Sequence, residues 1–231
     1  MRVLITGGTG FLGRALVAYL REHFPAWQVV VYSRDEQKQA AMARRFPWVE
    51  YILGDVCDPE RLIMAAQGAG RIVHAAAMKY IPEGESNPGE CIRVNVTGTA
   101  NVLAAALRTG TAEPTRLVVI STDKACQPAN VYGATKFMCE RMTAEYAART
   151  GLLAHTVRYG NVVGSTGSVI PVWRRQLQTT GRITVTDPEM TRFWMGIGQA
   201  CETVMVGLSE VGVNGSTLIP RPKAMRMGDL A

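Results

Sequence analysis

Thr6-Gly7-Gly8-Thr9-Gly10-Phe11-Leu12-Gly13 follows a short apolar run, Arg2 to Ile5, and opens a helical pattern that continues to His23. Glycines at such a junction permit strained φ values, let the backbone approach a pyrophosphate and leave room for a closely packed helix. The helix N-terminus adds free N–H donors and a dipole favourable to phosphate. Gly7, Thr9, Gly10, Phe11, Leu12 and Gly13 are therefore the expected dinucleotide contacts. The bland alternative is a turn that binds nothing.

Outward from this stretch, short β-branched runs alternate with longer helical patterns. Strands are expected at Arg2 to Ile5, Gln28 to Tyr32, Val49 to Leu53, Arg71 to His74, Arg116 to Ser121, Ala154 to Arg158 and Ser216 to Ile219. Helices are expected at Phe11 to His23, Glu36 to Phe46, Pro59 to Gln67, Gly89 to Arg108, Asn130 to Thr150 and Gln199 to Leu208. Near-continuous hydrophobicity in the strands means cover on both faces. The fold class is α/β, a Rossmann-type doubly wound parallel sheet. Beyond Arg158 the texture changes: Gly160, Gly164 and Gly167 crowd a loop, and Pro171, Gly181 and Pro188 punctuate the chain after it. Residues 1–164 read as the dinucleotide-binding domain. Residues 165–231 read as a small, reduced substrate-binding region interleaved with the last sheet elements.

A chain of 231 residues with 47% hydrophobic content can bury one core. Its 25 basic residues exceed its 19 acidic ones, for a formal charge of +6, but they are scattered. That pattern favours small anionic ligands over nucleic acid. Five widely spaced cysteines with no C-x-x-C pair suggest reduced thiols in the cytoplasm and no metal site. The apolar run Val3 to Ile5 meets Gly7 and Gly8 long before a signal or spanning length, so no membrane association is expected.

About twenty residues past the glycines, where an NAD-binding protein shows an acidic residue for the ribose 2′-hydroxyl, the chain reads Tyr32-Ser33-Arg34-Asp35. A hydroxyl donor and a planar cation suit a 2′-phosphate. The expectation is NADP held by Ser33 and Arg34, with Lys38 counted among the cofactor contacts. The competing arrangement turns Asp35 inward to select NAD and leaves Arg34 in solvent. Asp55, with Val56, is a candidate for the adenine edge, against a plain strand-terminating turn. Ala75, Ala76 and Ala77 end the fourth strand with side chains small enough for the backbone to lie along the cofactor. His74 reads as a packed strand residue.

Ser121-Thr122-Asp123-Lys124 closes the fifth strand, and Tyr132 and Lys136 lie one turn apart on the next helix. The ammonium of Lys136 is expected to favour the phenolate of Tyr132 and pull its pKa down. Thr122 is placed to hydrogen-bond the same substrate oxygen, and Asp123-Lys124 offers an acid and a base side by side. A surface Tyr-x-x-x-Lys pair and a solvated ion pair are the bland readings of these residues.

In TGGTGFLG, YSRDEQKQ, HAAAMKYIP, NPGECIRVNVTGTANVL, STDKACQPANVYGATK, RYGNVVGSTGSVIP and ITVTDPEMTRFWM, taken in that order from Thr6 to Met195, the chain resembles the extended short-chain dehydrogenase/reductases. It is most similar to the soluble UDP-N-acetylglucosamine 4,6-dehydratases that invert C5. Related membrane-bound dehydratases carry Met at the tyrosine position, so Tyr132 points to the soluble branch. The resemblance implies that Tyr132 takes the C4 hydroxyl proton during oxidation of that carbon. It assigns Lys124 to the C5 hydrogen and Asp123 to the departing C6 hydroxyl. It also implies a contact from Lys79 with the substrate or the nicotinamide side, against a plain surface lysine, and a homo-oligomer formed through the helices Gly89 to Arg108 and Asn130 to Thr150. Asn161, Ser165 and Arg192 are candidate substrate contacts, and Asn95, in the run V-N-V-T-G-T-A-N, reads as a buried amide that supports the active-site strand.

Two departures qualify the match. Thr166 stands where the family carries a cation in G-S-R-G-S. At Met225 to Ala231 the sequence ends where relatives enter a helix and continue through their substrate domain, so the C-terminal region is shortened relative to theirs. A C4 epimerase or a 5,6-dehydratase shares the first oxidation and stays open as an alternative. So does a non-catalytic NADP-binding sensor or partner subunit.

Overall fold

Val3, Leu4, Ile5, Val30, Ile72 and Val118 are each at most 1% exposed although successive strand residues point to opposite faces. A strand buried on both sides must lie inside a sheet covered twice, and the computed structural model, which describes residues 1–165, 167–209 and 212–231, has that form. In chain order its elements are β1 (Arg2–Thr6), α1 (Phe11–His23), β2 (Gln28–Ser33), α2 (Glu36–Arg45), β3 (Glu50–Leu53), α3 (Pro59–Ala66), β4 (Ala69–His74), α4 (Ile81–Ser86) and α5 (Pro88–Ile92). They continue with α6 (Gly98–Ala106), β5 (Arg116–Thr122), α7 (Val131–Thr150), β6 (Leu153–Tyr159), β7 (Asn161–Val162), α8 (Val169–Thr180), β8 (Thr191–Met195), α9 (Ile197–Leu208), β9 (Thr217–Leu218), β10 (Lys223–Arg226) and α10 (Met227–Leu230).

Seven strands pair in parallel in the order β3-β2-β1-β4-β5-β6-β9. The expected doubly wound sheet is thus present. Strand order reverses between β1 and β4, and ligands enter such sheets in the crevice at the carboxyl ends of the strands flanking that point. One face, through Leu4, Val30, Ile72 and Leu117, packs against Leu62 of α3, Val102 of α6 and Cys139 of α7. The other, through Val3, Ile5, Val31 and Val157, packs against Leu16 of α1, Met42 of α2 and Val204 of α9.

Helix starts follow local chemistry. Asp35, Asp58 and Asn130 cap α2, α3 and α7 by accepting from the backbone N–H of Lys38, Arg61 and Gly133. Gly151 ends α7 in the left-handed region, at φ 73°.

The structure differs from expectation in the segments rich in Pro and Gly. Val169–Thr180 is helical because Pro171 sits in the first turn, where its missing N–H has no intrahelical partner to lose, and Gly181 closes the helix. Ile81–Ser86 is helical for the same reason at Pro82. The stretch expected as one helix from Gly89 to Arg108 is interrupted by a π-helical turn at Arg93–Thr97. Strands β7, β8 and β10 form a second sheet of order β10-β8-β7, with β8 parallel to β7 and antiparallel to β10. The tail after Ile219, expected in the substrate region, supplies β10 and the helical turn α10.

His74, at the end of β4, is fully buried, with Nδ1 2.7 Å from Thr6 Oγ1 and Nε2 3.1 Å from Thr99 Oγ1. Burial, aided by the charge of Lys136, pushes its pKa down to about 3. Between that value and the ordinary 6.5 the unfolded chain binds the proton that the folded chain refuses, so this contribution to stability rises with pH across the window and is lost as pH falls. Urea unfolding at pH 7.0 and pH 4.5 should show His74→Gln losing about 1.4 kcal/mol less per pH unit below about 6 than the unsubstituted chain. Identical slopes would mean that His74 is protonated in the folded state.

Candidate active site

At the switch point the turn after β1 lies directly on the end of β4. Gly7 has φ 67°, and a Cβ there would sit 2.7 Å from both N and Cα of Ala76. At Gly13 a Cβ would meet the Gly8 carbonyl at 2.3 Å, so the first turn of α1 is equally intolerant of a side chain. Ala75 N donates to the Thr6 carbonyl at 3.1 Å, holding Ala75, Ala76 and Ala77 along the turn. Gly10 caps α1 with no side chain to satisfy the first-turn N–H groups beside Phe11 and Leu12, while Thr9 is buried with its carbonyl on Arg14. This cradle fits the pyrophosphate of a dinucleotide.

The ends of β2 and β3 form the adjoining corner. Ser33 is buried, and Gln39 Nε2 donates to its carbonyl and to its Oγ at 3.0 Å and to the Ile52 carbonyl at 2.9 Å. Gln39, one turn into α2, was not expected among the site residues. Asp35 caps α2 and pairs with Lys38 Nζ at 2.7 Å, and the hydrogen bonds from Lys38 hold its carboxyl below the usual range. That pairing draws Lys38 toward Asp35. Arg34 lies 3.9 Å and Arg93 3.7 Å from Asp55 Oδ2. Burial raises the Asp55 pKa, but hydrogen bonding by Cys57 and the two guanidinium groups outweigh it and leave it lowered. Arg93, on the π-helical turn, is a second cation at this corner that the sequence reading did not single out.

The reactive groups gather where β5 ends and α7 begins. Thr122 is buried and donates to Asp123 Oδ1 at 3.0 Å, and Lys124 Nζ lies 3.0 Å from the same oxygen. Asp123–Ala125 forms one 3-10 turn, so acid and base sit side by side and partly exposed. A Cβ at Gly133 would fall 2.2 Å from the Lys124 carbonyl oxygen, which means that α7 starts in direct contact with that turn. Tyr132, the preceding residue, has its pKa pushed up to about 12 by burial; hydrogen bonding with Thr122 opposes the rise and the Asp123 charge adds to it. This corrects the expectation that Lys136 pulls the phenol down: desolvation dominates.

Lys136 is 2% exposed, its pKa lowered by burial, and no described residue hydrogen-bonds its ammonium. An ammonium with no hydrogen bond to a described residue fits a ligand rich in hydroxyl groups, as a nicotinamide riboside is. Asn95, at the centre of the π-helical turn, accepts from Met78 N at 2.8 Å and donates to Met78 O and Thr135 Oγ1, so the supporting role expected of it is present. Tyr159 is the register partner of Thr122, and burial together with the nearby Tyr132 phenol raises its pKa.

The expected substrate contacts come from the segment after β4 and from the second sheet with its flanking loop. Lys79 stands 5.8 Å over the Tyr80 ring, with its pKa lowered by burial. Asn161 lies on β7 and donates to the Phe193 carbonyl at 3.2 Å, so one of its amide protons is already engaged. Arg192 on β8 donates to the Thr191 carbonyl. Ser165 N donates to the Val162 carbonyl, and its own carbonyl accepts from Ser168 Oγ. Thr166 lies outside the described residues. The ring of Tyr80 packs against Gly167, joining the Lys79 loop to the Ser165 loop.

A glycine cradle at the switch point, with Thr122, Tyr132 and Lys136 at the neighbouring strand end, defines the class of extended short-chain dehydrogenase/reductases. The family model described as polysaccharide biosynthesis protein matches residues 3–231, and the chain belongs to that family. It is 38% identical to a UDP-N-acetylglucosamine 4,6-dehydratase (inverting) of Campylobacter jejuni, over 99% of this chain and 69% of the relative. It is 36% identical to a UDP-glucose 4-epimerase of Rickettsia rickettsii, over 99% and 68%. Among solved structures, Pen from Bacillus thuringiensis superposes with a TM-score of 0.92 at 33% identity, covering 99% of this chain and 71% of that one.

Gly133→Ala should cost about 1–3 kcal/mol of stability through backbone overpacking, and activity should fall in protein that remains folded. Thermal unfolding and single-turnover rates check both; a fully stable, fully active variant would show that α7 does not rest on the Lys124 carbonyl.

Proposed function

We propose that the protein is an NADP-dependent UDP-N-acetylglucosamine 4,6-dehydratase that inverts C5. The observation that carries this reading is the Asp123–Lys124 pair held in one turn against Thr122 and the start of α7. Oxidation at C4 alone needs Thr122, Tyr132 and Lys136. Elimination of water needs an acid and a base at the neighbouring carbons as well.

In this reading Gly7, Thr9, Gly10, Phe11, Leu12, Gly13, Val56 and Ala75 to Ala77 hold the dinucleotide, and Lys136 meets its ribose hydroxyls. When bound, the nicotinamide would supply, in its oxidised form, a hydride acceptor for C4 and a positive charge that favours the Tyr132 phenolate and, once reduced by that hydride, the donor that returns it to C6. Tyr132 takes the C4 hydroxyl proton, with Thr122 hydrogen-bonded to the same oxygen. The resulting ketone acidifies the C5 hydrogen, which Lys124 removes, while Asp123 protonates the departing C6 hydroxyl. Protonation of C5 from the opposite face inverts that centre. Lys79, Asn161, Ser165 and Arg192 line the sugar-nucleotide side, with Arg192 suited to the diphosphate by its fork of donors.

NADP rather than NAD is supported by the corner at β2 and β3, where Arg34 and Arg93 supply cations and Asp35 is committed to its cap and to Lys38. Free thiols at all five cysteines suit a reducing cytoplasm. A UDP-sugar 4-epimerase is the second reading, favoured by the relative of that name. An epimerase has no use for the acid-base pair.

Incubation with UDP-N-acetylglucosamine should give a 4-keto product lighter by one water, and Tyr132→Phe should lower turnover by at least about 100-fold. An isomer of unchanged mass would favour the epimerase. Cofactor binding with no turnover, indifferent to Tyr132→Phe, would favour a sensor. Separately, Arg34→Ala should weaken NADPH binding by about tenfold and leave NADH nearly unchanged. Equal effects on both would remove Arg34 from cofactor selection.

A further inference from the structure

We infer that Glu140 is a positioning residue: it ties the ends of β5 and β6 to α7 and so sets the distance from Thr122 to Tyr132 and Lys136. The inference rests on the proposed function, because it names a residue serving that same site. Tyr132, Lys136 and Glu140 follow one another at four-residue intervals along one stripe of α7. The Glu140 side chain is 4% exposed and accepts hydrogen bonds from Ser121 Oγ at 2.5 Å, from Arg158 Nε at 2.9 Å and from Arg158 Nη2. Ser121 and Arg158 are register partners on β5 and β6. Each immediately precedes a residue of the reaction space, Thr122 in one case and Tyr159 in the other.

A two-point contact from a guanidinium fixes the plane of a carboxylate as well as its distance. Two neighbouring strand ends and one helix are thereby held at one point, a single turn from Lys136. Stability alone is a poor reason for such an arrangement, since well-packed apolar residues do as well as a buried ion pair or better. Geometry is a better reason, because Lys136 has no hydrogen-bond partner among the described residues to hold it in place. The Glu140 charge also opposes the effect of burial on the Lys136 ammonium.

Glu140→Gln keeps the volume and removes the charge, and Arg158→Gln removes the other half of the pair. Both are titrated with NADPH and with 2′,5′-ADP, which lacks the nicotinamide half; NADH and 5′-ADP form a second pair. The expected split is a loss of about tenfold for the dinucleotide with the adenine fragment within about twofold, accompanied by a kcat on UDP-N-acetylglucosamine lower by about 10- to 100-fold and a KM within about threefold. Equal weakening of dinucleotide and fragment, or no weakening of either, would overturn the inference. Ser121→Ala, which removes one donor and no charge, guards against a misfolded Glu140→Gln: it should show the same split at about threefold, and its absence there would count equally against it. Failure of the unsubstituted protein to bind either dinucleotide would instead sink the functional reading, and is seen before any variant is made.

Discussion

The absence of a side chain at Gly133 is the constraint on which the site depends. With the ideal Cβ position only 2.2 Å from the Lys124 carbonyl oxygen, α7 can approach the tip of β5 only because that atom is missing. Asn130 decides where the helix begins by capping the Gly133 N–H, and Glu85 of α4 accepts from Val131 N at 2.7 Å. Together these contacts bring the phenol of Tyr132, the Thr122 hydroxyl and the Asp123–Lys124 turn to one wall of the crevice. A helix standing off by the width of one methyl group would leave the same residues in the same order and no common site.

The parts of this structure that were legible in the sequence are those governed by local chemistry. The glycine turn after Ile5, the seven sheet strands and the capped starts of α2 and α7 each follow from residues within a few positions of one another. The helices at Pro82 and Pro171 were hidden because proline reads as a breaker until its place in the first turn is known. The second sheet was hidden for a different reason: β7 has two residues and β10 is wholly exposed, so no period of two can show. Contacts between distant segments were hidden altogether. Arg93 beside Asp55 and Arg158 on Glu140 join residues from separate stretches of the sequence that carry no shared motif.

The titration of the active site was the least legible. Tyr-x-x-x-Lys spacing suggests a phenol lowered by its neighbouring ammonium, yet burial acts on both groups and raises the one while lowering the other. Desolvation by burial thus outweighs what the spacing alone suggests.

The proposal that one site both oxidises a sugar at C4 and removes the hydrogen at C5 is tested most directly by turnover of UDP-N-acetylglucosamine in heavy water, with NMR of the product. The predicted result is a 6-deoxy-4-keto sugar with a single solvent deuterium, located at an inverted C5, and none at C6. Recovery of a C4 isomer, or of unchanged substrate without deuterium at C5, would contradict it.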